Sequence, residues 1–298
     1  MKDFVLMPET SSSVYSGYSS EDANISRVAV ERFPDGEFAI KVPLTGDEVV
    51  LVGSCHSSEA SEAFLAAAYE IARRGPKDFT IYNTYFRHAR SERVVDGKAN
   101  MAKFQARLWS GIGNVCPGVK IVLQDLHKDL VVDFFEGPVR VSNRSSIGDV
   151  AKFIARKIPN QFRNKSVVLG TVDEGGAYAV RKIAEENGLG TAIIHKVRLS
   201  GTETKVLSVH GEVAGKVVVI LDDMISTGGS AIKAAQAFKD AGALGVWIGA
   251  AHGVFSVRDA VRMETSGLFI RIVVTQSHPN AEAAMRSCSI VDAIPLVF

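Results

Sequence analysis

The sequence predicts an α/β fold with two domains, each built on a mainly parallel sheet flanked by helices. Short apolar runs recur along the 298 residues, and most are followed by a longer segment with helical periodicity. That alternation is typical of βα units. The length exceeds one small core and is short for three domains, so two domains of medium size are expected. With 46% apolar and 22% charged residues, the composition is that of a globular protein.

The predicted strands are apolar runs of four to six residues, and the predicted helices place apolar residues three and four positions apart. The strands are 48–53, 79–83, 120–124, 166–170, 192–195, 217–221, 245–250 and 269–274. The helices are 58–74, 147–158, 178–187 and 230–241. Asn187-Gly188 and Ala241-Gly242 supply plausible helix ends. The Ser- and Tyr-rich segment 10–24 shows no period and predicts a loop.

A polar segment near the midpoint, 143–148, predicts the passage between the two domains. We therefore expect an N-terminal domain over 1–145 and a C-terminal domain over 146–298. No short internal repeat is visible, although two halves of similar fold fit the recurring pattern.

Charge and composition narrow the possible partners. Lys and Arg number 34 against 33 Asp and Glu, so the formal net charge of +1 gives no field that recruits nucleic acid or an anionic membrane. Any anion site must be local. No secretory signal pattern and no apolar run of about 18 residues is present, so we expect a cytoplasmic protein. The three cysteines lack CxxC spacing, which argues against a disulfide framework or a zinc site.

The segment with the most specific chemistry follows the apolar run 217–221. Asp222 and Asp223 come next, and then the small residues of 226–230, Ser-Thr-Gly-Gly-Ser, open a helix. Small residues let backbone N–H groups approach a phosphate, and the helix N-terminus adds partial positive charge. The paired carboxylates suit ribose hydroxyls or a hydrated Mg²⁺. An ordinary βα turn with serine or threonine caps is the alternative, which the combination of features disfavours.

This loop resembles the phosphoribosyl diphosphate (PRPP) loop of type I phosphoribosyltransferases and of ribose-phosphate diphosphokinases, the PRPP synthetases. Two upstream segments favour the synthetases. Residues 32–37, Arg-Phe-Pro-Asp-Gly-Glu, resemble a segment that contacts ATP from a neighbouring subunit in that family. Residues 85–93, with three arginines within seven positions, are similar to its nucleotide motif, and arginines can clamp a polyphosphate. Taken alone, the two segments would be a tight turn and a solvated basic loop.

Three further segments follow in the family's order. Residues 124–127, Gln-Asp-Leu-His, resemble an Asp-Leu-His segment that serves the metal-nucleotide site. Residues 171–176, Thr-Val-Asp-Glu-Gly-Gly, resemble a turn whose aspartate lies near metal and ribose, although a capped helix start would look the same. Lys196 and Arg198 match a Lys-x-Arg pair, and strand alternation places two such cations on one side.

The resemblance implies two similar domains of type I phosphoribosyltransferase fold. It also implies transfer of a diphosphate from ATP to the 1-hydroxyl of ribose 5-phosphate, a requirement for Mg²⁺, and a homodimer or larger homo-oligomer. The roles implied are catalysis for Lys196 and Arg198; ATP binding for Phe33, Asp35, Glu37, Arg90, Ser91, Arg93 and His127; ribose-phosphate binding for Asp173, Asp222, Asp223, Ser226, Thr227, Gly228, Gly229 and Ser230; and metal binding for His127 and Asp173.

The sequence departs from the family pattern at places that affect specificity. Ser91 replaces the glutamine that reads adenine, Glu92 replaces an aspartate, and Val172-Asp173-Glu174 replaces a Pro-Asp-Ala turn. Other functions therefore stay open. A related diphosphokinase would use a larger acceptor such as ADP-ribose in NAD salvage. A regulatory homologue would bind without turnover, and a phosphoribosyltransferase would consume PRPP.

Overall fold

The computed structural model describes residues 2–10, 23–159, 166–198 and 204–296, and for 196–198 and 204–207 it describes the backbone alone. The chain divides into two compact units. The first unit contains the described residues up to Ser145 together with Ser277–Pro279, Pro295 and Leu296. The second unit contains Ser146–Gln276 and Asn280–Ile294.

The division differs from the expected one near the C-terminus. The expectation assigned every residue after 145 to one domain, whereas two short segments of that region pack with the first unit. The segment that contains Leu296 packs with the first unit because this leucine is buried in the same apolar cluster as Phe4 and Leu6.

The first unit contains a six-stranded sheet, an antiparallel hairpin and two helices. Its strands are β1 (Lys2–Leu6), β2 (Ala23–Arg27), β3 (Ala29–Arg32), β4 (Phe38–Lys41), β5 (Glu48–Gly53), β6 (Asp78–Asn83), β7 (Lys120–Gln124) and β8 (Arg140–Arg144), and its helices are α1 (Ser58–Arg73) and α2 (Met101–Val115). The sheet order is β2-β1-β5-β6-β7-β8 with every neighbour parallel, and β3 pairs with β4.

Strand alternation explains why β5 reads as one continuous apolar run. Val49 and Leu51 face the core that holds α1 and α2, while Val50 and Val52 face the cluster around Phe4. The two helices meet through Phe64 and Trp109, whose ring centroids lie 4.9 Å apart in an edge-on arrangement. Both faces of the central strands are therefore buried.

The second unit contains a seven-stranded sheet with helices on both faces. Its strands are β9 (Val167–Gly170), β10 (Gly190–Arg198), β11 (Thr204–His210), β12 (Val217–Ile225), β13 (Gly245–Gly253), β14 (Arg271–Thr275) and β15 (Val291–Ile294). Its helices are α3 (Ile147–Lys157), α4 (Ala177–Glu186), α5 (Gly229–Asp240), α6 (Val257–Thr265) and α7 (Pro279–Ser287). The sheet order is β11-β10-β9-β12-β13-β14-β15, and the edge strand β11 is antiparallel to β10. The remaining neighbours are parallel.

The predicted α/β class with mainly parallel sheets flanked by helices is confirmed. Each predicted strand and helix is present, with ends that move by a few residues. Two expectations need correction. The strand expected to end at Leu221 continues through Ile225, so Asp222 and Asp223 lie within β12. Ala23 and Asn24, expected in a loop, begin β2 because Ala23 is buried against the sheet; residues 11–22 of that segment lie outside the described residues.

Candidate active site

The strand order of the second unit reverses between β9 and β12, and the helices that follow these strands pack on opposite faces of the sheet. α4 contributes Val180 to one core, whereas α5 contributes Phe238 to the other. In an open parallel sheet this arrangement leaves a crevice outside the carboxyl ends of the two strands, where ligands bind. The turn after β9 and the loop after β12 both lie at this crevice.

The acidic pair lies at the carboxyl end of β12. Asp222 Oδ1 accepts a hydrogen bond from the N–H of Asp223 (3.0 Å), and Asp223 Oδ1 accepts one from Met224 (2.7 Å). Burial raises the pKa of Asp222 well above its usual range, and the negative charges of Asp223 and Asp173 act in the same direction. Three carboxylates therefore lie close enough to repel one another, and the crevice favours a cation or hydroxyl donors.

The small-residue loop after β12 leads directly into α5. Gly228 occupies the N-cap position with φ 77° and makes no side-chain capping hydrogen bond. A Cβ at this glycine would come within 2.4 Å of Met263 Sδ, so both the backbone angle and the packing require glycine. Because Gly228 holds the cap, Ser226 and Thr227 are not the ordinary helix caps that the alternative interpretation required. Thr227 and Ser230 are exposed.

The turn after β9 is fixed to the neighbouring strand β10. Asp173 Oδ1 accepts a hydrogen bond from the N–H of Gly175 (2.9 Å), so this aspartate does cap the short helical turn that follows. The Glu174 carboxylate pairs with Nδ1 of His195 on β10. The His195 ring lies against His210 of β11, with centroids 4.1 Å apart. Glu174 thus joins the Asp173 turn to the β10–β11 pair.

The two predicted catalytic cations lie at the carboxyl end of β10. The backbone of Lys196 pairs with Val206 and that of Arg198 with Thr204 on the antiparallel strand β11. The pairing shifts register between His195 and Lys196. The side chains of Lys196 and Arg198 lie outside the described part of the chain. The structure therefore locates their backbone only.

In the first unit, residues 33–37 form the loop of the β3–β4 hairpin. The N–H of Phe33 donates to the Glu37 carbonyl (2.8 Å), and Asp35 Oδ1 accepts from the N–H of Glu37 (3.0 Å). Gly36 has φ 92°, which this turn requires. Each residue of the loop is exposed, with Phe33 at 43%. The segment is thus the tight turn of the simpler interpretation, and it also presents its side chains outward.

The arginine-rich segment 85–93 follows β6. Arg87 donates to Ser58 Oγ at the start of α1, whereas Arg90 and Arg93 are exposed. His88 has φ 65°, an uncommon angle for a residue with a side chain, and Ser91 closes the turn by donating its N–H to the His88 carbonyl (2.8 Å). Two guanidinium groups are therefore presented to solvent by a sharply folded loop.

His127 follows β7 and is half-buried. The strand end before it is firmly fixed. Tyr82 donates its hydroxyl to Gln124 Oε1 (2.5 Å), and Ser145 Oγ donates to Asp125 Oδ1 (3.0 Å). Burial, as the largest cause, raises the pKa of Tyr82 to about 12. Because β6 and β7 are parallel neighbours, segment 85–93 and His127 lie at the same edge of their sheet.

Within the described ranges, no three or more His, Cys, Asp or Glu side chains form a group that could hold a metal ion alone. Mg²⁺ does not require such a group, since it keeps several waters and takes phosphate oxygens from a substrate. The hard oxygen donors of Asp222, Asp223 and Asp173 suit that mode of binding, because burial and the two neighbouring carboxylates, which raise the pKa of Asp222, both favour a cation beside it. The residues fit Mg²⁺ bound together with a phosphorylated ligand.

One contact at the loop was not foreseen from the sequence. Arg262 of α6 donates from its guanidinium to the carbonyl of Thr227 and pairs with Asp259 (3.1 Å). The Ser256-x-x-Asp259 pattern is a capping box and marks the start of this helix. No pattern in the sequence relates the helix to the loop.

Comparisons with known proteins give matches that cover most of the chain. A family model described as "Phosphoribosyl synthetase-associated domain" matches residues 194–297. A protein of Thermotoga maritima named ribose-phosphate pyrophosphokinase is 30% identical over 270 residues, covering 89% of this chain and 84% of that protein. One of Methanopyrus kandleri with the same name is 29% identical, covering 87% and 86%.

A solved structure supports the fold. The chain matches a phosphoribosylpyrophosphate synthetase of Mycobacterium smegmatis with a TM-score of 0.80 and 23% identity, covering 99% of this chain and 95% of that one. Separately, no helix among the described residues is both long and apolar enough to cross a membrane.

Proposed function

Because the chain belongs to the ribose-phosphate pyrophosphokinase family, a family of transferases, we propose that it transfers the β,γ-diphosphate of ATP to the 1-hydroxyl of ribose 5-phosphate, giving PRPP and AMP. One observation carries the proposal. The strand-order reversal of the second unit brings a half-buried acidic pair, Asp222 and Asp223, together with a helix N-terminus that has no side-chain cap.

The second unit binds the sugar. Backbone N–H groups and hydroxyls of Ser226, Thr227, Gly228, Gly229 and Ser230 hold the 5-phosphate, because the α5 N-terminus has no side-chain cap competing for them. Asp222 and Asp223 accept hydrogen bonds from ribose hydroxyls. Those bonds also compensate for the burial and the neighbouring negative charges that raise the pKa of Asp222.

The transfer is an in-line displacement. The ribose O1 forms a bond to the β-phosphorus of ATP while the bond from that phosphorus to the oxygen bridging to the α-phosphate breaks. AMP leaves with the electron pair, and the proton of the hydroxyl passes to solvent. Such chemistry requires alignment and charge neutralisation. Lys196 and Arg198 stabilise the transferring oxygens, and the loss of one such donor costs about 3 kcal/mol of transition-state stabilisation.

The first unit binds the nucleotide. Arg90 and Arg93 are exposed guanidiniums suited to bidentate bonds with the triphosphate, and Ser91 lies between them beside the base. Phe33, Asp35 and Glu37 contact the nucleotide of a neighbouring subunit, which their position on an exposed hairpin loop supports. We therefore propose a homodimer or larger homo-oligomer that works in the cytoplasm. The molar mass in solution, measured by light scattering, tests the assembly.

The proposed ligands of Mg²⁺ are His127 in the first unit and Asp173 in the second, and each would act with phosphate oxygens of the substrates. When bound, Mg²⁺ neutralises the charge of the phosphates and helps to orient them. The part of Asp173 is supported by the turn that fixes it, in which its carboxylate accepts from Gly175 and its neighbour Glu174 pairs with His195.

A product assay tests the proposed function. With ATP and Mg²⁺ the protein is expected to release AMP and PRPP in equal amounts with ribose 5-phosphate as acceptor. Lys196→Ala should slow this release on the order of 100-fold while leaving thermal unfolding unchanged. A strong preference for ADP-ribose would replace the proposal by the larger acceptor. Absence of AMP with every acceptor would instead indicate a regulatory homologue.

A further inference from the structure

Helix α6 supports the phosphate loop from beneath. The Arg262 guanidinium donates to the Thr227 carbonyl, and the Met263 side chain packs directly against Gly228. A third contact comes just before the helix, where the N–H of Val254 donates to the Ile225 carbonyl (3.0 Å). The loop after β12 is therefore held by three successive contacts on one side.

Arg262 is itself fixed by its own helix. Asp259 lies one turn earlier and pairs with the guanidinium (3.1 Å). That carboxylate is oriented by Ser256, whose Oγ donates to Asp259 Oδ2 (2.7 Å) in the capping box. A line of hydrogen bonds thus runs from Ser256 through Asp259 and Arg262 to Thr227. The same guanidinium nitrogen, Nη2, contacts Asp259 and Thr227, so the position that Asp259 gives to this nitrogen is passed on to the loop.

The contact determines where the next backbone donor points. In a trans peptide the C=O and the following N–H point in opposite directions, and no cis peptide is present among the described residues. Fixing the Thr227 carbonyl toward α6 therefore aims the Gly228 N–H to the opposite side of the loop.

We propose that Arg262 is a positioning residue for the sugar 5-phosphate: by holding the Thr227 carbonyl, it orients the Gly228 N–H toward the phosphate. The inference rests on the proposed function, since it assumes that the loop binds a phosphorylated ribose. The side chain is 53% exposed and makes its loop contact through a carbonyl. Its part in binding is therefore indirect, and it is distinct from the charge of a residue that touches the phosphate.

The test is direct binding of ribose 5-phosphate and of inorganic phosphate by calorimetry, together with steady-state kinetics of the whole protein. Arg262→Ala should weaken ribose 5-phosphate binding about tenfold, the size expected for one charge-assisted hydrogen bond. The KM for ribose 5-phosphate should rise with it while kcat and the KM for ATP stay within about twofold, because the loop holds ground state and transition state alike.

Two further variants separate positioning from charge and from folding. Arg258→Ala removes an equal charge from an exposed position of the same helix and should leave binding unchanged. Arg262→Lys keeps the charge but replaces the planar guanidinium, whose Nη2 contacts both Asp259 and Thr227, by a compact ammonium on a flexible stem, so binding should weaken about threefold. It also serves if the alanine variant does not fold.

Each result has a defined meaning. If the unaltered protein binds ribose 5-phosphate and Arg262→Ala binds it equally well, the positioning role is overturned and the proposed function stands. Full affinity in Arg262→Lys would also overturn it, since charge alone would then suffice. If the unaltered protein binds no ribose 5-phosphate, the proposed function is overturned and this inference with it.

Discussion

The two units share a reversal of strand order but differ in how the N-terminus of the following helix is capped. Each has a parallel sheet whose strand order reverses, between β1 and β5 in the first unit and between β9 and β12 in the second. In both, the strand after the reversal leads into a helix, α1 or α5. The α1 N-terminus is closed by its own side chain, since Ser57 Oγ accepts from the N–H of Ala60 (3.0 Å). The α5 N-terminus has Gly228 as its cap and no such bond.

This difference shows that the fold alone does not make a phosphate site. A helix N-terminus binds an anion only when its first N–H groups are left for the ligand. In the first unit Ser57 caps the helix N-terminus, and the positive charges available to an anion are those of the exposed Arg90 and Arg93. We therefore expect the second unit to bind the small sugar phosphate through backbone N–H groups and the first to bind a larger polyphosphate through exposed guanidiniums.

The largest expected effect comes from displacing the loop at the uncapped N-terminus of α5. Gly228→Ala places a Cβ within 2.4 Å of Met263 Sδ at a positive φ, so the loop must move. Ribose 5-phosphate binding should fall on the order of 100-fold, as a displacement near 1 Å can produce. Unfolding free energy should drop by about 3 kcal/mol. Gly188→Ala is the matched control, because its φ is 64° and nothing lies within 4 Å. It should lower stability by about 1 kcal/mol and leave binding intact.

The next effect tests the acidic pair of β12. Asp222→Asn should lower kcat/KM on the order of 30-fold, by loss of one charged acceptor, and should raise the free energy of unfolding of the ligand-free protein by about 1 kcal/mol. Because the pKa of Asp222 is raised in the fold, its charged form destabilises the protein above that pKa. The gain should therefore shrink as pH falls and the wild-type carboxyl takes up a proton.

Urea unfolding at about pH 8 and about pH 5 measures this dependence. Glu185→Gln removes one negative charge from an exposed site of α4 and is the control. A stability gain in that variant equal to the one from Asp222→Asn would show that net charge, and not burial, is responsible.

A smaller effect is expected at the nucleotide loop. Arg90→Ala should raise the KM for ATP about tenfold, since one charge-assisted hydrogen bond is lost, and should leave ribose 5-phosphate binding unchanged. Arg140→Ala removes an exposed arginine from β8 of the same unit and should change neither. Initial rates at varied ATP measure both. A rise in the KM for ribose 5-phosphate alone would contradict the division of binding between the units.

The smallest effect concerns the N-terminus of α1, which Ser57 caps. Ser57→Ala should lower the free energy of unfolding by about 1 kcal/mol, the usual loss for a helix cap, and should leave both substrate affinities within about twofold. Ser57→Thr keeps a capping hydroxyl and should restore most of the stability. A large loss of ribose 5-phosphate binding in Ser57→Ala would mean that the first unit also holds the sugar phosphate.

The central strands could be predicted from the sequence because strands buried on both faces are continuous apolar runs, as in Val217–Leu221. The hairpin strands β3 and β4 could not, since they are short and mostly exposed. Helix α2 was missed for a different reason. Its buried face does recur every three to four positions, but it includes the polar Gln105 and Ser110, while Phe104 and Leu108 are about half exposed. Apolarity alone therefore does not identify which residues of this helix are buried.

The site shows the same limit. Asp222, Asp223 and the loop after them could be proposed as a site from the sequence because they are contiguous and each residue type has a chemical reason to be there. Arg262 lies 35 positions from Thr227, and their contact exists only once α6 has packed under the loop. Long-range hydrogen bonds of this kind leave no periodicity in a single sequence.

The return of Leu296 to the first unit bears on attempts to dissect the protein. A recombinant fragment ending at Ser145 would lack this leucine, which is buried with Phe4 and Leu6. The fragment would therefore expose the apolar side chains that Leu296 covers. The halves are interlaced along the chain, so a protease that nicks near residue 145 should leave a noncovalent complex and not two free pieces. The first unit thus needs residues from both ends of the sequence to complete its core.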